Sequence, residues 1–466
     1  MKDKKTEGQK LEKELTYKKE NFFTASSDEK IKKAFEYAED YKKYIDNSKT
    51  EREAVKTSVA LCKEKGFKEY RFGDKLEVGG KYYYNNRGKS LAVFKIGKKD
   101  VGKDGIRILA SHIDSPRLDI KQNPLYEDSS MAFLKTHYYG GIKKYQWTAI
   151  PLALHGTVIL KNGKTVDIAI GEGKNDPVFY VNDLPHLSRE KVTKPLAQAI
   201  DGETLNVLVG GLPFKDDDVK DGIKLTVLKH LHDEFGMVES DFLSAELCVV
   251  PAFDARDIGF DRALIGAYGH DDRVCSYPAL TALLNTDDEE HTVLVVLADK
   301  EEIGSEGNTG MQCKVYEDLI DFIAASENVP SALVRANSVC LSADVTAGYD
   351  PNFAGVFEKK NASLVSYGTS ICKFTGAGGK SSSNDASAEL CGRVRKIFDD
   401  NGITWQTAEL GKVYAGGGGT VAKFISKLNI DTIDIGVPVI SMHAPYEVIS
   451  KGDLYSTYEA FSAFIK

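Results

Sequence analysis

Apolar residues recur from Asp28 to Asn47 at Ile31, Phe35, Ala38, Tyr41 and Ile45. Those steps of three and four predict one buried face of a helix. Thr50-Glu51-Arg52-Glu53 has the form of a capping box, which predicts a second helix, and Gly66 suits its stop. The pattern then changes to short, continuous apolar runs: Ile106 to Ser111 (IRILAS), Thr292 to Leu297 (TVLVVL), Ser338 to Ala343 (SVCLSA) and Ile433 to Ile440. Such runs suit strands covered on both faces, as in a layered α/β sheet. Helix-like stretches, including Tyr277 to Leu284 and Ala386 to Phe398, lie between them.

The middle of the chain reads differently. From about Asp119 to Val250 strands alternate with turns. The clearest case is Thr157–Leu160 and Thr165–Ile170 flanking Asn162-Gly163, a hairpin signal. We expect residues 119–252 to form a separate β-rich domain, inserted into an α/β domain made of residues 1–118 and 253–466. A length of 466 residues, beyond one ordinary core, agrees with more than one domain.

Composition narrows the classes. Hydrophobic residues make up 42% and charged residues 28%, as in a soluble globular protein. The formal net charge of -8 argues against a general nucleic-acid or anionic-membrane binder, which needs a basic surplus. No apolar run reaches about 18 residues, the length a membrane-spanning helix requires. The first residues, MKDKKTEGQKLEKELTYKKEN, are charged without an apolar centre, and are expected to be a solvated tail rather than a secretory signal. The seven cysteines are odd in number and contain no C-x-x-C pair, which disfavours a disulfide framework or a cysteine zinc cluster and suggests a reducing cytoplasm.

The candidate chemistry sits at the ends of predicted strands, where sites of open α/β sheets collect. His112-Ile113-Asp114 follows IRILAS, and Asp114 could accept the second ring N–H of a metal-bound His112. Asp271-Asp272 lies in a predicted loop before a helix, where one carboxylate could bridge two ions. Glu301-Glu302 follows TVLVVLADK; one of the pair could hold a metal while the other serves as general base. Asp344 and His443 follow further strands. Together these are nitrogen and oxygen donors without a thiolate, a set suited to zinc, manganese or cobalt. Two ions roughly 3.5–4 Å apart would share one carboxylate and activate a water.

Other chemistries fit less well. Gly376–Gly379 and Gly416–Gly419 match neither phosphate-loop pattern, since position 374 is Phe where Gly378-Gly379-Lys380-Ser381 would need a glycine. Close backbone approach to a peptide is the use expected of them. No G-x-S-x-G elbow occurs, and Cys275 reads as a small packed residue.

The order H-x-D, D-D-R, E-E-x-G, a strand-end Asp and a late S-M-H resembles the co-catalytic zinc exopeptidases. ASHIDSPRLD, DKEEIGSEG, YAGGGGTVAKF and VPVISMHAPYE resemble, more narrowly, the aspartyl aminopeptidase and vacuolar-type aminopeptidase I family. That resemblance implies a zinc-exopeptidase-like catalytic domain with a mixed central sheet, and an inserted β-rich domain that dimerises subunits on the way to a dodecamer. It implies two zinc ions, with cobalt or manganese as substitutes. His112 and Asp344 would complete one site, Glu302 and His443 the other, and Asp271 would bridge them. Glu301 would be the general base and Asp114 would orient His112. His186, in DLPHLSRE, would assist a neighbouring subunit's site. Lys373 and Lys380 are candidates to pair with an acidic side chain of the peptide.

The chain departs from the family where eukaryotic aspartyl aminopeptidases resemble M-A-H-A-V-H-P-N; here Val345 to Asn352 lacks both histidines. Neutral or broad specificity is therefore the alternative to acidic preference. An inactive shell-forming scaffold is a further alternative, opposed by the presence of Glu301 and every expected ligand.

Overall fold

Ser27 caps the first predicted helix by accepting a bond from the Lys30 amide, and the helix runs over Asp28–Asp46 in the computed structural model, which describes residues 6–287 and 290–466. Its buried face is Ala34, Ala38, Tyr41, Tyr44 and Ile45. Ile31 and Phe35, expected on that face, are only partly covered, while Ala34 and Ala38 are fully buried. The capping box forms as predicted: the Glu53 amide donates to Thr50 Oγ1 at 3.3 Å, and the Thr50 amide to Glu53 Oε2 at 2.9 Å. The helix spans Glu51–Glu64, and Gly66 follows it with a positive φ of 79°. The predicted tail is in part a helix, Glu7–Leu15, capped by Thr6 and burying none of its residues. Met1 to Lys5 lie outside the described residues.

The four apolar runs become the centre of one nine-stranded mixed sheet. Its middle strands are Val293–Ala298, Arg107–His112, Val339–Ala343 and Asp431–Gly436, side by side and parallel. The last predicted run breaks after Gly436, and Pro438–Val439 pairs elsewhere, with Thr346–Ala347. Parallel alignment brings four carboxyl ends to one edge. Antiparallel strands extend the sheet on both sides: Ser90–Lys95 beyond Val293–Ala298, and Thr369–Cys372 beyond Asp431–Gly436.

Helices cover both faces. On one face, Asp28–Asp46, Glu51–Glu64, His270–Asn285, Ala388–Asp400 and Lys451–Phe464 pack over Leu109, Val295, Leu341 and Ile433. Val315–Ser326, Ser331–Asn337 and Ala422–Ser426 pack over Ile108, Leu294 and Cys340 on the other. Alternate residues of each strand thus feed two cores, which explains the unbroken apolar runs. No described helix is long and apolar enough to cross a membrane.

A seven-stranded sheet occupies the middle of the chain, from Arg117–Asp128 to Ala245–Pro251, with its own core around Trp147, Leu152, Val181 and Val249. The hairpin strands are Pro151–Ile159 and Thr165–Ile170. Leu160 and Lys164 still share a bond of 2.9 Å, so the turn spans three residues rather than two, and Gly163 takes the positive φ of 82° that such a loop needs.

Candidate metal centre

His112 is the last residue of its strand and is almost fully buried. Its Nδ1 faces Asp114, 3.1 Å from the backbone oxygen and 3.2 Å from Oδ1. A carbonyl oxygen can only accept, so Nδ1 carries the hydrogen. Nε2 is left to face Asp271 Oδ1 at 3.2 Å. The other oxygen of Asp271 lies 3.3 Å from His443 Nε2. One carboxylate therefore stands between two histidines that are 331 positions apart in the sequence.

Each remaining group arrives from a different strand end. Glu301 and Glu302 follow Val293–Ala298 in a short turn entered through Lys300, whose φ is 65°. Their amides donate to the two oxygens of Asp114 at 3.1 and 3.2 Å. Glu302 Oε2 lies 3.5 Å from His443 Nε2, and Glu301 Oε2 lies 4.0 Å from His112 Nε2. The side chain of Glu302 is 3% exposed and that of Glu301 20%. Asp344, just past Val339–Ala343, groups with His112 and Asp272. Asp271, Glu302 and His443 form a second group.

As the sequence suggested, Asp271-Asp272 precede the regular part of the helix His270–Asn285, both with non-helical backbone angles. One residue escaped the sequence reading, Glu447, and Asp272 was named there without a role of its own. Asp272 accepts from the His112 amide at 3.3 Å through one oxygen, while its other oxygen has no hydrogen-bond partner among the described residues. Glu447, fully buried, accepts from the Asp271 amide at 3.0 Å and from the His443 amide at 2.7 Å. The signal for Asp272 was present in D-D-R. Glu447 follows His443 by four positions and closes the stretch VPVISMHAPYE, but the sequence gives it no role of its own.

Burial raises the carboxyls of Asp272, Glu301, Glu302 and Asp344 above the usual range, and neighbouring carboxylates add to the effect. Burial also pushes Glu447 up to about 8. Burial would raise Asp271 too, but the His112 and His443 rings facing its two oxygens hold it low. No lysine or arginine pairs with these carboxylates among the described residues. The Arg273 guanidinium instead donates to the backbone oxygens of Ile113 and Lys49. Five converging carboxylates without a cationic side chain, and unpartnered oxygens on Asp272 and Glu302, fit divalent cations.

Three predicted site residues lie apart from this cluster. His186 is on an exposed loop after the strand Phe179–Val181. Lys373 and Lys380 are half-exposed, and both pair with Asp385, Lys380 at 3.2 Å. The strand leading to Lys373 is antiparallel to Asp431–Gly436, with Ser370 opposite Gly436 and Cys372 opposite Asp434. It therefore runs away from the edge that carries the cluster. The two glycine stretches approach each other: a Cβ on Gly417 would lie 2.6 Å from Ala377 Cα.

A mixed α/β sheet with buried carboxylates and histidines gathered at the carboxyl ends of its parallel strands is the framework of a metal-dependent hydrolase. Residues 44–465 match the family model described as aminopeptidase I zinc metalloprotease (M18). The chain belongs to this M18 family of zinc aminopeptidases. The probable M18 family aminopeptidase 1 of Clostridium acetobutylicum is 44% identical over 454 residues, which cover 96% of this chain and 97% of that one. The crystal structure of the M18 aminopeptidase from Thermotoga maritima is 40% identical with a TM-score of 0.91, covering 97% of this chain and 100% of that one. The Saccharomyces cerevisiae mApe1 dodecamer shares the fold at 21% identity and a TM-score of 0.76, over 92% of this chain and 96% of that one.

Proposed function

We propose that this aminopeptidase removes N-terminal residues from peptides at a centre of two divalent ions, zinc by preference. The placement of Asp271 carries the proposal, one oxygen on each histidine at 3.2 and 3.3 Å. His112, Asp344 and Asp272 would hold one ion, Glu302 and His443 the other, and Asp271 would bridge them. When bound, such ions polarise the scissile carbonyl and acidify the attacking water.

The protein's own groups divide the remaining work. Glu302 is closed in and faces His443, as a ligand should. Glu301 is the more open of the pair, and burial raises its carboxyl toward the range of a useful base. Its Oε2 would take the water's proton and return it to the leaving amine. Asp114 holds His112 in one tautomer and anchors the Glu301 and Glu302 amides.

We read residues 119–252 as an inserted dimerisation domain between catalytic parts 1–118 and 253–466. Its exposed His186 would serve a neighbouring subunit, within a dodecamer like that of the yeast relative. Seven free cysteines agree with a cytoplasmic setting. On specificity, a broad or neutral preference has the better support. Asp385 already occupies both Lys373 and Lys380, so an acidic peptide side chain would have to displace it. Metal analysis and chelation, read on Asp-, Glu- and Leu-peptidyl reporters in one preparation, test these statements. Full hydrolysis without divalent metal would sink the mechanism.

A further inference from the structure

The strand Met131–Tyr139 belongs to the second sheet, yet Tyr139-Gly140-Gly141 at its end reaches the metal centre of the first. The Tyr139 hydroxyl donates to Asp114 Oδ2 at 2.8 Å. It joins three other donors on that carboxylate, His112 Nδ1 and the amides of Glu301 and Glu302. Those three come from strand ends of the first sheet, and only Tyr139 comes from the second. Its ring lies 4.2 Å from the Arg117 guanidinium, which is paired with buried Glu51 at 2.9 Å.

The two glycines make the rest of the contact. Gly140 has a φ of 74°, and a Cβ there would sit 3.3 Å from Glu302 Cβ and 3.4 Å from Oε2. The Gly141 carbonyl lies 3.1 Å from His443 Nδ1. That oxygen can only accept, so Nδ1 carries the hydrogen and Nε2 is presented to Asp271 and Glu302. A Cβ on Gly141 would press on the same Nδ1 from 3.1 Å. Both histidines of the cluster thus have their tautomer set by an oxygen behind the ring, one of Asp114 and one of Gly141.

We propose that Tyr139-Gly140-Gly141 is a positioning strap through which the second sheet orients both histidines, His443 directly and His112 by way of Asp114. The proposal rests on the two-ion reading above. Tyr139 is a positioning residue here, since it touches Asp114 and not the reacting atoms. The strap makes the geometry of the metal centre depend on how the second sheet is seated.

The test compares Tyr139→Phe and Gly141→Ala with Tyr138→Phe, a change at the exposed neighbour, in the full-length protein. Zinc per chain, the rate of zinc loss to a chelator, kcat, KM and Tm are measured for each. Loss of such outer contacts costs about 10–100-fold in metal affinity or activity, so Tyr139→Phe should release zinc about 10-fold faster and lose about 10-fold in kcat, with KM little changed. Gly141→Ala should bring the count from two ions toward one. Tyr138→Phe should match the wild type. Equal zinc release and kcat in Tyr139→Phe and Tyr138→Phe overturns the strap, and so does a fall in Tm alone. If Gly141→Ala does not fold, Tyr139→Phe decides. A wild-type chain that is fully active without divalent metal overturns the two-ion reading; a metal-dependent wild type with indifferent Tyr139→Phe overturns only the strap.

Discussion

Two buried histidines in this protein look alike when taken one at a time. His112 lies between Asp114 and Asp271, and His155 lies between Glu53 and Glu172, at 2.7 and 2.8 Å. Their surroundings separate them. At His155 the charges close on themselves: Lys49 pairs with Glu172 at 3.0 Å and donates to the backbone oxygens of Pro251 and Phe253. Both ring nitrogens are taken by carboxylates and two cations face two anions. Around His112 and His443 five carboxylates converge, and two of their oxygens have no hydrogen-bond partner among the described residues. The lesson is that charge balance, rather than the residue types, distinguishes a structural clamp from a candidate metal centre. His155 clamps the helix Glu51–Glu64 to the strand Pro151–Ile159 and so joins the two sheets.

The comparison can be broken most forcefully at Glu301. Glu301→Gln should reduce kcat by about 10²–10⁴-fold, the span of general-base contributions, with metal content unchanged. Loss of metal in this variant would make Glu301 a ligand instead. Next in size, Asp272→Asn should weaken metal binding or activity by about 10–100-fold, checked by chelator competition. An unaffected variant would return Asp272 to a purely structural role.

On the other side of the comparison, His155→Gln should leave zinc content and kcat per folded molecule intact. It should cost about 1–3 kcal/mol of stability in denaturant titration, less than a fully buried pair because Glu53 and Glu172 keep some solvent. A change in zinc content would show that the two clusters are not independent. The same clamp has a pH signature. Burial would lower the His155 imidazole, but its two glutamate partners raise it from 6.5 to about 9. A raised folded-state value stabilises the fold fully below pH 6.5 and loses that contribution as pH rises through about 9. The Tm advantage of the wild type over His155→Gln should therefore shrink between those values. The smallest effect is expected at Lys373→Ala. Its pairing with Asp385 is half-exposed, so the ratio of acidic to neutral reporter hydrolysis should shift by less than about five-fold. A larger, selective loss on acidic reporters would restore acidic preference.

Much of the site was legible in the sequence because its residues follow apolar runs. A strand in a parallel sheet buries both faces, so its end is visible as the first polar residues after the run. His112, Glu301, Glu302, Asp344 and His443 were readable for that reason, and Asp271 through its place before a helix and the combined motif order. The capping box at Thr50 and Glu53 and the glycine of the hairpin turn were legible too, being local interactions within a few residues.

Other features depended on contacts between distant segments. Sequence order could not show that Asp271 stands between His112 and His443, that Glu447 ties the Asp271 and His443 amides together, or that Gly141 sits behind the His443 ring. Nor could it show that Lys373 faces Asp385 at the end of a strand leading away from the cluster. The sequence determined which residues have the chemistry for metal binding and where the apolar runs end. Only the tertiary structure decided which charges are balanced by neighbours and which have no cationic side chain beside them among the described residues, because that depends on side-chain distances of a few ångströms between segments hundreds of residues apart.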